Sequence, residues 1–439
     1  MSIATITILM FAFFIVALFM GVPLAFVLGA VGVIFTVFLW GTHGLYIVAS
    51  LTWKMMSSEV LIAVPLFILM GAFLQRSGIA DSLYETAHKW AGPLHGGLAI
   101  GTIVICALFG AMAGIAGAAT VSLGLIAIPS MKSRGYSTSM SVGPIAAGGT
   151  LGILIPPSVP MIFYGLFARM SIGKLFLAGI LPGVLIAILL IIYIIILGIK
   201  YPESCPALPP EERVSFRNKI KALLTVLPVI LLIAAVLGSI FSGMATPTES
   251  AIVGVIGSFL IALYKKKVTW IFLKESTFST LSVTTMVLWV MIGAAVFAGV
   301  YQALGASELL QRVASGGIPG GKWIILLTIL VLLLVLGMFL DAGAVIILLV
   351  PTVVPLIETL GFNTLWFSIL FVLTIMIGYL SPPFGLCLFY LRGVAPPDIK
   401  TIEIYKAVLP YIAVLLIGLI ILIIIPEISI WLPRFVMGY

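Results

Sequence analysis

Lys and Arg number 22 and Asp and Glu 14 in a chain of 439 residues, so charged residues make up 8%, while 62% are apolar, mean hydropathy is +1.33 and the formal net charge is +8. A soluble domain carries about 25% charged residues. The composition excludes a soluble enzyme, a disordered chain and a nucleic-acid binder, because the basic residues sit in short breaks between apolar runs with no interleaved aromatics. The solvent for this chain is mostly lipid. Three cysteines, Cys106, Cys205 and Cys387, make neither a disulfide framework nor a metal signature.

A spanning helix needs about 20 apolar residues. In chain order, spans are expected at 3–20, 24–40, 60–74, 172–198, 222–241, 250–264, 282–301 and 407–425. The first has no basic leader and is followed at once by a second after Gly21-Val22-Pro23, so it reads as a span and not as a removable signal. Two regions differ: 98–169 and 323–392 are apolar but broken repeatedly by Gly and Pro, and the charged amphipathic segments 75–95 and 302–322 precede them. The longest polar interval, 200–221, is too short for a catalytic domain, which places any function inside the bilayer.

The two broken regions match each other. Shifted by 226 and compared without gaps from Ala111 to Tyr164, thirteen of 54 positions are identical. They include Ala116, Gly117, Pro129, Gly135, Gly152, Pro156, Pro157 and Tyr164, whose partners are Ala342, Gly343, Pro355, Gly361, Gly378, Pro382, Pro383 and Tyr390. Gly and Pro fix backbone shape, so the excess indicates an internal repeat and not merely a shared composition. Charge gives its orientation. Intervals 200–221 and 265–274 carry five and four basic residues and bracket a two-helix hairpin, so both belong on the cytoplasmic side. Walking outward, Arg76, Lys89, Lys132, Arg134, Arg392, Lys400 and Lys406 fall inside. The repeat equivalent of Lys132–Arg134, residues 358–360, falls outside. The repeats therefore enter from opposite faces, as in secondary transporters.

Gly148-Gly-Thr-Leu-Gly-Ile-Leu-Ile-Pro-Pro-Ser158 and Gly378-Tyr-Leu-Ser-Pro-Pro-Phe-Gly385 each put two prolines into an apolar helix. Each proline removes a donor and restricts the residue before it, so both helices must break. Carbonyls freed in this way are tolerated at membrane depth only against protein, a cavity or an ion. Ala113-Gly-Ile-Ala-Gly-Ala-Ala-Thr120, matched by Leu340-Asp-Ala-Gly-Ala344, is either the tip of a re-entrant hairpin or a small-residue packing face. Asp341 either supports the second tip and favours a cation or simply caps the following helix. Thr246, Pro247 and Glu249 spell a helix start with a capping box. Arg169 and Arg392 follow the breaks and either attract an anion or snorkel to an interface. Gly316-Gly-Ile-Pro-Gly-Gly-Lys322 carries Trp323 where a phosphate loop needs Ser or Thr, and His43, His88 and His95 stand singly, so no ATP hydrolysis and no enzyme chemistry is expected.

Together, Ala245-Thr-Pro-Thr-Glu-Ser-Ala251, Gly337-Met-Phe-Leu-Asp341, Gly148–Ser158, Ser171-Ile-Gly-Lys-Leu-Phe-Leu-Ala-Gly179 and Gly378–Gly385 make the chain resemble the large membrane subunit of tripartite ATP-independent periplasmic (TRAP) transporters over essentially its whole length. The resemblance implies an all-α polytopic protein of the bacterial inner membrane. Its expected fold has inverted repeats, two re-entrant hairpins, two broken helices and the plan of an elevator-type ion transporter. It implies a Na⁺-coupled importer of a small organic anion, with no cofactor beyond the coupling ion. The implied partners are a small four-helix membrane subunit and a periplasmic substrate-binding protein. The implied division is scaffold 1–95 and 222–320, transport domain 96–200 and 321–439, and cytoplasmic linker 201–221. Ions are expected between each tip and its break: Gly114, Ile115, Ala116 and Gly117 with Gly152, Ile155 and Pro156, and Asp341, Ala342 and Gly343 with Gly378, Ser381 and Pro382. Thr120, Thr150, Ser158, Ser381, Arg169 and Arg392 are the candidate substrate contacts. Many relatives carry a serine-rich first tip; Ala113-Gly-Ile-Ala-Gly117 does not, so this tip must rely on carbonyls or on Thr120. A stand-alone divalent-anion/Na⁺ carrier, a channel and an intramembrane enzyme are the competing readings. A channel would call for oligomeric pore symmetry in place of an internal repeat, and an enzyme for paired acids or histidines at depth.

Overall fold

The computed structural model describes residues 2–91, 93–114, 116–305 and 321–438, and no strand occurs among them. Nine helical segments among the described residues are long and apolar enough to cross a bilayer; they include six of the eight expected spans, while 3–20 and 24–40 fall in shorter apolar helices and the other three segments lie in the two broken regions. The arms Gly97–Ala113 and Ala116–Lys132 have only 17 residues each. At 1.5 Å per residue they cover about 25 Å, short of a hydrocarbon core of about 30 Å.

Two spans extend further toward the basic face than expected. Residues 222–241 belong to Phe216–Phe241, and 282–301 belong to the 34-residue helix Trp270–Ala303. Charges concealed the added turns: Arg217, Lys219 and Lys221 ride on the first helix, Lys274 and Glu275 on the second. Thr269 caps the second by accepting from the Phe272 N–H at 3.1 Å. Phe272, Ser276, Thr280 and Thr284 then form a buried stripe at helical spacing. Helices Leu45–Met56 and Glu427–Met437 were not anticipated. The amphipathic segment 75–95 contains helix Ile79–Ala91, which buries Ile79, Leu83 and Tyr84. Most of its counterpart 302–322, and the Gly-rich stretch from Gly316, lies outside the described residues.

Side-chain contacts establish which loops share a face. Arg134 pairs with Glu212 at 3.3 Å, Arg76 with Glu275 at 3.4 Å, and Lys132 with Asp398. Lys265 donates to Ser82 at 2.9 Å and the Trp90 indole to the Lys219 carbonyl at 3.0 Å. The hydrogen bond from Lys132 holds the Asp398 carboxyl below the ordinary carboxylate range. Every basic loop placed in the cytoplasm by charge thus meets another such loop. The opposite face gathers Glu59, whose carbonyl accepts from Thr248 at 3.4 Å, and Gly173 beside Met437. The first hairpin opens at Lys132, on the basic face. The half-helix Leu386–Val394 leads to Asp398 on that same face, so Thr364–Leu380 enters from the other, as does the second hairpin, Gly321–Phe339 with Ala342–Thr359. The repeats are inverted.

The two helices that precede the Pro-Pro pairs form the centre. Thr138–Leu154 is buried throughout from Met140, and Thr364–Leu380 from Leu365. A helix that is apolar on every side is one enclosed by others. Small residues let its neighbours come close. A Cβ added at Gly152 would lie 2.8 Å from the Gly110 Cα, and one at Gly378 would lie 2.8 Å from the Gly337 carbonyl carbon. In each repeat a hairpin arm therefore crosses its own broken helix backbone to backbone. Single prolines at Pro129, Pro144 and Pro182 remain inside continuous helices, whereas the paired prolines end theirs.

Two outcomes follow. Gly152→Ala should destabilise the protein by about 1–3 kcal/mol, as overpacking does, while Gly238→Ala, inside a helix with nothing within 4 Å of the added carbon, should hold or raise the temperature of thermal unfolding. With native cysteines replaced, Lys266→Cys should react with a membrane-impermeant maleimide only from the cytoplasmic side and Thr248→Cys only from the other. Labelling of both from one side would contradict the topology.

Candidate functional site

The site is a pair of junctions, each joining a hairpin tip to a broken helix. In the first, Gly114 ends the arm Gly97–Ala113 in the left-handed region, with φ of +65°. Its carbonyl accepts from the Val159 N–H at 3.1 Å, across the break. The small-residue segment is therefore a hairpin tip seated on the Pro-Pro break, and Ala116 starts the second arm. Ile115 lies outside the described residues. The helix stops at Leu154, and Ile155 turns to extended backbone as expected. Pro156 and Pro157, joined by a cis peptide bond, supply no N–H to the carbonyls of Gly152 and Ile153. Ser158 closes one of these gaps, its hydroxyl donating to the Ile153 carbonyl.

The second junction is built differently. Asp341 is the N-cap of Ala342–Thr359, and its Oδ2 accepts from the Gly343 N–H at 2.9 Å. The Tyr379 hydroxyl donates to Asp341 Oδ1 at 3.1 Å and accepts from the Ala342 N–H at 2.6 Å. The helix stops at Leu380, after which Ser381 is extended and bonds back to the Ile377 carbonyl at 2.9 Å. Pro382 and Pro383, also joined cis, supply nothing to the carbonyls of Gly378 and Tyr379. The Ser381 N–H reaches Gly378 at 3.0 Å. Phe384 stands where Ser158 stands in the first repeat, so no equivalent hydroxyl reaches the Tyr379 carbonyl. Phe384 instead packs on Phe339 with ring centroids 4.6 Å apart. Asp341, Pro383 and Phe384 are exposed, whereas Pro156, Pro157 and Ser158 are buried.

The repeats are interleaved here. A Cβ at Gly117 would lie 2.8 Å from the Tyr390 ring, and one at Gly343 would lie 3.2 Å from the Phe163 ring. Each tip glycine thus faces an aromatic ring on the other repeat's half-helix. Thr120 is buried one turn below the first tip, between Gly149 and Cys387, and its hydroxyl donates to the Ala116 carbonyl at 3.1 Å. The Thr150 hydroxyl is likewise turned back, onto the Ala147 carbonyl at 2.7 Å. Arg169 and Arg392 are not brought together. Arg169 caps the far end of Val159–Ala168 on the outer face, and Arg392 donates to the Ile399 carbonyl on the basic face. Half-helix separates each from its prolines, about 15 Å for Arg169 and about 9 Å for Arg392. The two larger cavities also lie elsewhere: a cleft of about 720 Å³ between Glu59, Ser171 and Glu249, and an apolar pocket of about 370 Å³ between Phe297, Ile325 and Val353.

Tyr379 was not among the residues singled out from sequence. Its signal was present: a phenol at the repeat position of Ile153, in the one repeat whose tip carries a carboxylate.

Comparison with known proteins gives the arrangement a context. The C4-dicarboxylate TRAP transporter large permease protein of Vibrio cholerae is 32% identical, over 98% of each chain. The sialic acid TRAP transporter large permease protein of the same organism is 33% identical, over 96% of this chain and 97% of its own. Both relatives are transport permeases and neither is an enzyme. Among solved structures, the YdaH transporter of Alcanivorax borkumensis superposes with a TM-score of 0.60 at 17% identity, over 91% of this chain and 90% of its own, and shares the fold. A family model described as tripartite ATP-independent periplasmic transporter, DctM component, matches residues 11–428. The chain belongs to this family, the large permease subunits of TRAP transporters.

Proposed function

We propose that the chain is the Na⁺-coupled permease of an importer for small organic anions, carboxylates or sulfonates. One observation carries the coupling: at the second junction Pro383 deprives the Tyr379 carbonyl of its helical donor, while the hydroxyl of the same residue holds the tip carboxylate of Asp341. Backbone carbonyls at a helix break together with one acid favour a small hard cation. Gly378, Ser381 and Pro382 form the wall of this site, and Asp341, Ala342 and Gly343 form its lid. The first junction offers the backbone of Gly114, Ala116, Gly117, Gly152, Ile155 and Pro156.

The anion is assigned to the space between the tips. The half-helices Val159–Ala168 and Leu386–Val394 begin at the breaks, so their positive ends favour negative charge there. The names of the two relatives, C4-dicarboxylate and sialic acid permeases, support a carboxylate cargo. A periplasmic binding protein delivers it and a small four-helix membrane subunit completes the complex, as the word tripartite in the family description supports. Residues 96–200 and 321–439 move as one transport domain against a scaffold of 1–95 and 222–320, with 201–221 as the linker. The glycine–aromatic contacts between repeats and the Lys132–Asp398 pair support that joint, elevator-like movement.

The complex in proteoliposomes should take up its anion when given a Na⁺ gradient and the loaded binding protein, and should ignore ATP. If two or more Na⁺ enter with a monoanion, net positive charge moves inward and an inside-negative potential adds about 2.3 kcal/mol per charge per 100 mV. Uptake that persists without Na⁺, or that follows ATP, contradicts the proposal. Restoring the helices gives a sharper check. Pro156→Ala with Pro157→Ala, and separately Pro382→Ala with Pro383→Ala, return the missing donors. Stability should hold or rise, because proline costs about 3 kcal/mol in a helix interior. Half-saturation by Na⁺ should move to higher concentration in both variants. Wild-type Na⁺ dependence in both would make the prolines simple kinks.

A further inference from the structure

The two junctions occupy equivalent places in the repeats but are not closed by equivalent groups. At the first, the hydrogen bond that seats the tip among the described residues is a backbone one, Val159 N–H to Gly114 carbonyl, and Ser158 caps the freed Ile153 carbonyl. At the second, the seated group is a carboxylate, and the group that seats it is a phenol from the break. Tyr379 takes the position of Ile153, and Asp341 that of Ile115. The Tyr379 side chain is buried, 4% exposed, so its hydroxyl has no bulk water to fall back on. It makes two bonds at once: it accepts from the first N–H of the second arm, Ala342, and donates to Asp341 Oδ1. Oδ2 is turned toward the Gly343 N–H. Both carboxylate oxygens are therefore oriented, and the arm's first free donor is satisfied by the same phenol.

We propose that Tyr379 is the positioning residue of the second tip. Its hydroxyl fixes the rotamer of Asp341 and ties the start of Ala342–Thr359 to the broken helix, so that the tip carboxylate is held against the break. This rests on the reading of the second junction as a Na⁺ site. Tyr379 acts through Asp341 and is not itself required as a ligand through its side chain. A hydrogen bond to a charged group is among the stronger ones, and losing it leaves the buried Ala342 N–H unpaired and the exposed Asp341 carboxylate free to turn.

The test is a cycle of variants in the complete transporter: wild type, Tyr379→Phe, Asp341→Asn and the double variant. Two quantities are read, the Na⁺ concentration for half-maximal thermal stabilisation and that for half-maximal uptake, with the maximal uptake rate at saturating Na⁺ recorded separately. Tyr379→Phe keeps the ring and its packing. It should raise both half-saturating concentrations about tenfold or more, while maximal uptake at high Na⁺ stays within about twofold of wild type. In the Asp341→Asn background the same change should add less than about twofold, because the phenol no longer has a carboxylate to orient. Ser158→Ala, its counterpart at the first junction, should not reproduce the Tyr379→Phe shift. Unchanged half-saturation in Tyr379→Phe overturns the proposal while the Na⁺ reading stands. Equal shifts with and without the carboxylate also overturn it, since Tyr379 would then not act through Asp341. If Tyr379→Phe does not fold, Tyr379→Leu and Tyr379→His in the same cycle decide: rescue of half-saturation by His, which can donate, and not by Leu, which cannot, supports the proposal, and equal behaviour overturns it. A wild type without Na⁺ dependence in either readout defeats the Na⁺ reading itself, which is a distinct result.

Discussion

A carbonyl in hydrocarbon must find a donor, and two adjacent prolines take two donors away. Much else in this molecule follows from that deficit. The helices Thr138–Leu154 and Thr364–Leu380 cannot continue, so the chain turns aside at the middle of the bilayer. The turned-aside backbone must be covered, so a hairpin tip is placed against each break. The tips must come close, so the crossing points are glycine on glycine, Gly110 with Gly152 and Gly337 with Gly378. The arms of the first hairpin, 17 residues each, are short because they need only reach the break. In a multi-pass protein of the bacterial inner membrane, such backbone is where an ion or a solute can replace what the helix has lost.

The repeats solve the same deficit by different means. The first is sealed: Ser158 caps the Ile153 carbonyl and the prolines are buried. The second is left partly open, with Phe384 in the place of Ser158 and Asp341 at an exposed tip. Duplication supplied one backbone plan, and the side chains at three matched positions, Ile115/Asp341, Ile153/Tyr379 and Ser158/Phe384, made two sites of different character.

Much of this was legible in the residues, and the limits have physical causes. Pro-Pro pairs are strong backbone statements, so both breaks were placed correctly, as was the capping box at Thr246 and Glu249. Charge asymmetry placed the loops, and the contacts of Arg134, Arg76 and Lys132 agree with it. The inner turns of Trp270–Ala303 were missed because a helix leaving the bilayer changes its surface from apolar to charged without changing its backbone. The hydroxyls of Thr120, Thr150 and Ser158 illustrate a second limit. Each could be located, but which of them bonds to its own helix is decided by rotamers and close packing, which spacing does not reveal. Tyr379 escaped because its partner lies 38 residues earlier and meets it only when the hairpin folds back.

The contacts of Gly117 with the Tyr390 ring and of Gly343 with the Phe163 ring restrict how the sequence can drift. A methyl group gained at Gly117 is not a private matter of the first repeat; it requires a smaller ring in the second. Each half has thus become part of the other's selective environment, and substitutions at the crossing must arrive in compatible pairs or not at all. Away from the crossing no such veto operates, and the halves are free to become strangers. A pair of repeats joined in this way is expected to keep its ancestral likeness at glycines and prolines long after many surrounding apolar residues have diverged, and six of the thirteen identities retained among 54 aligned positions are of these two types.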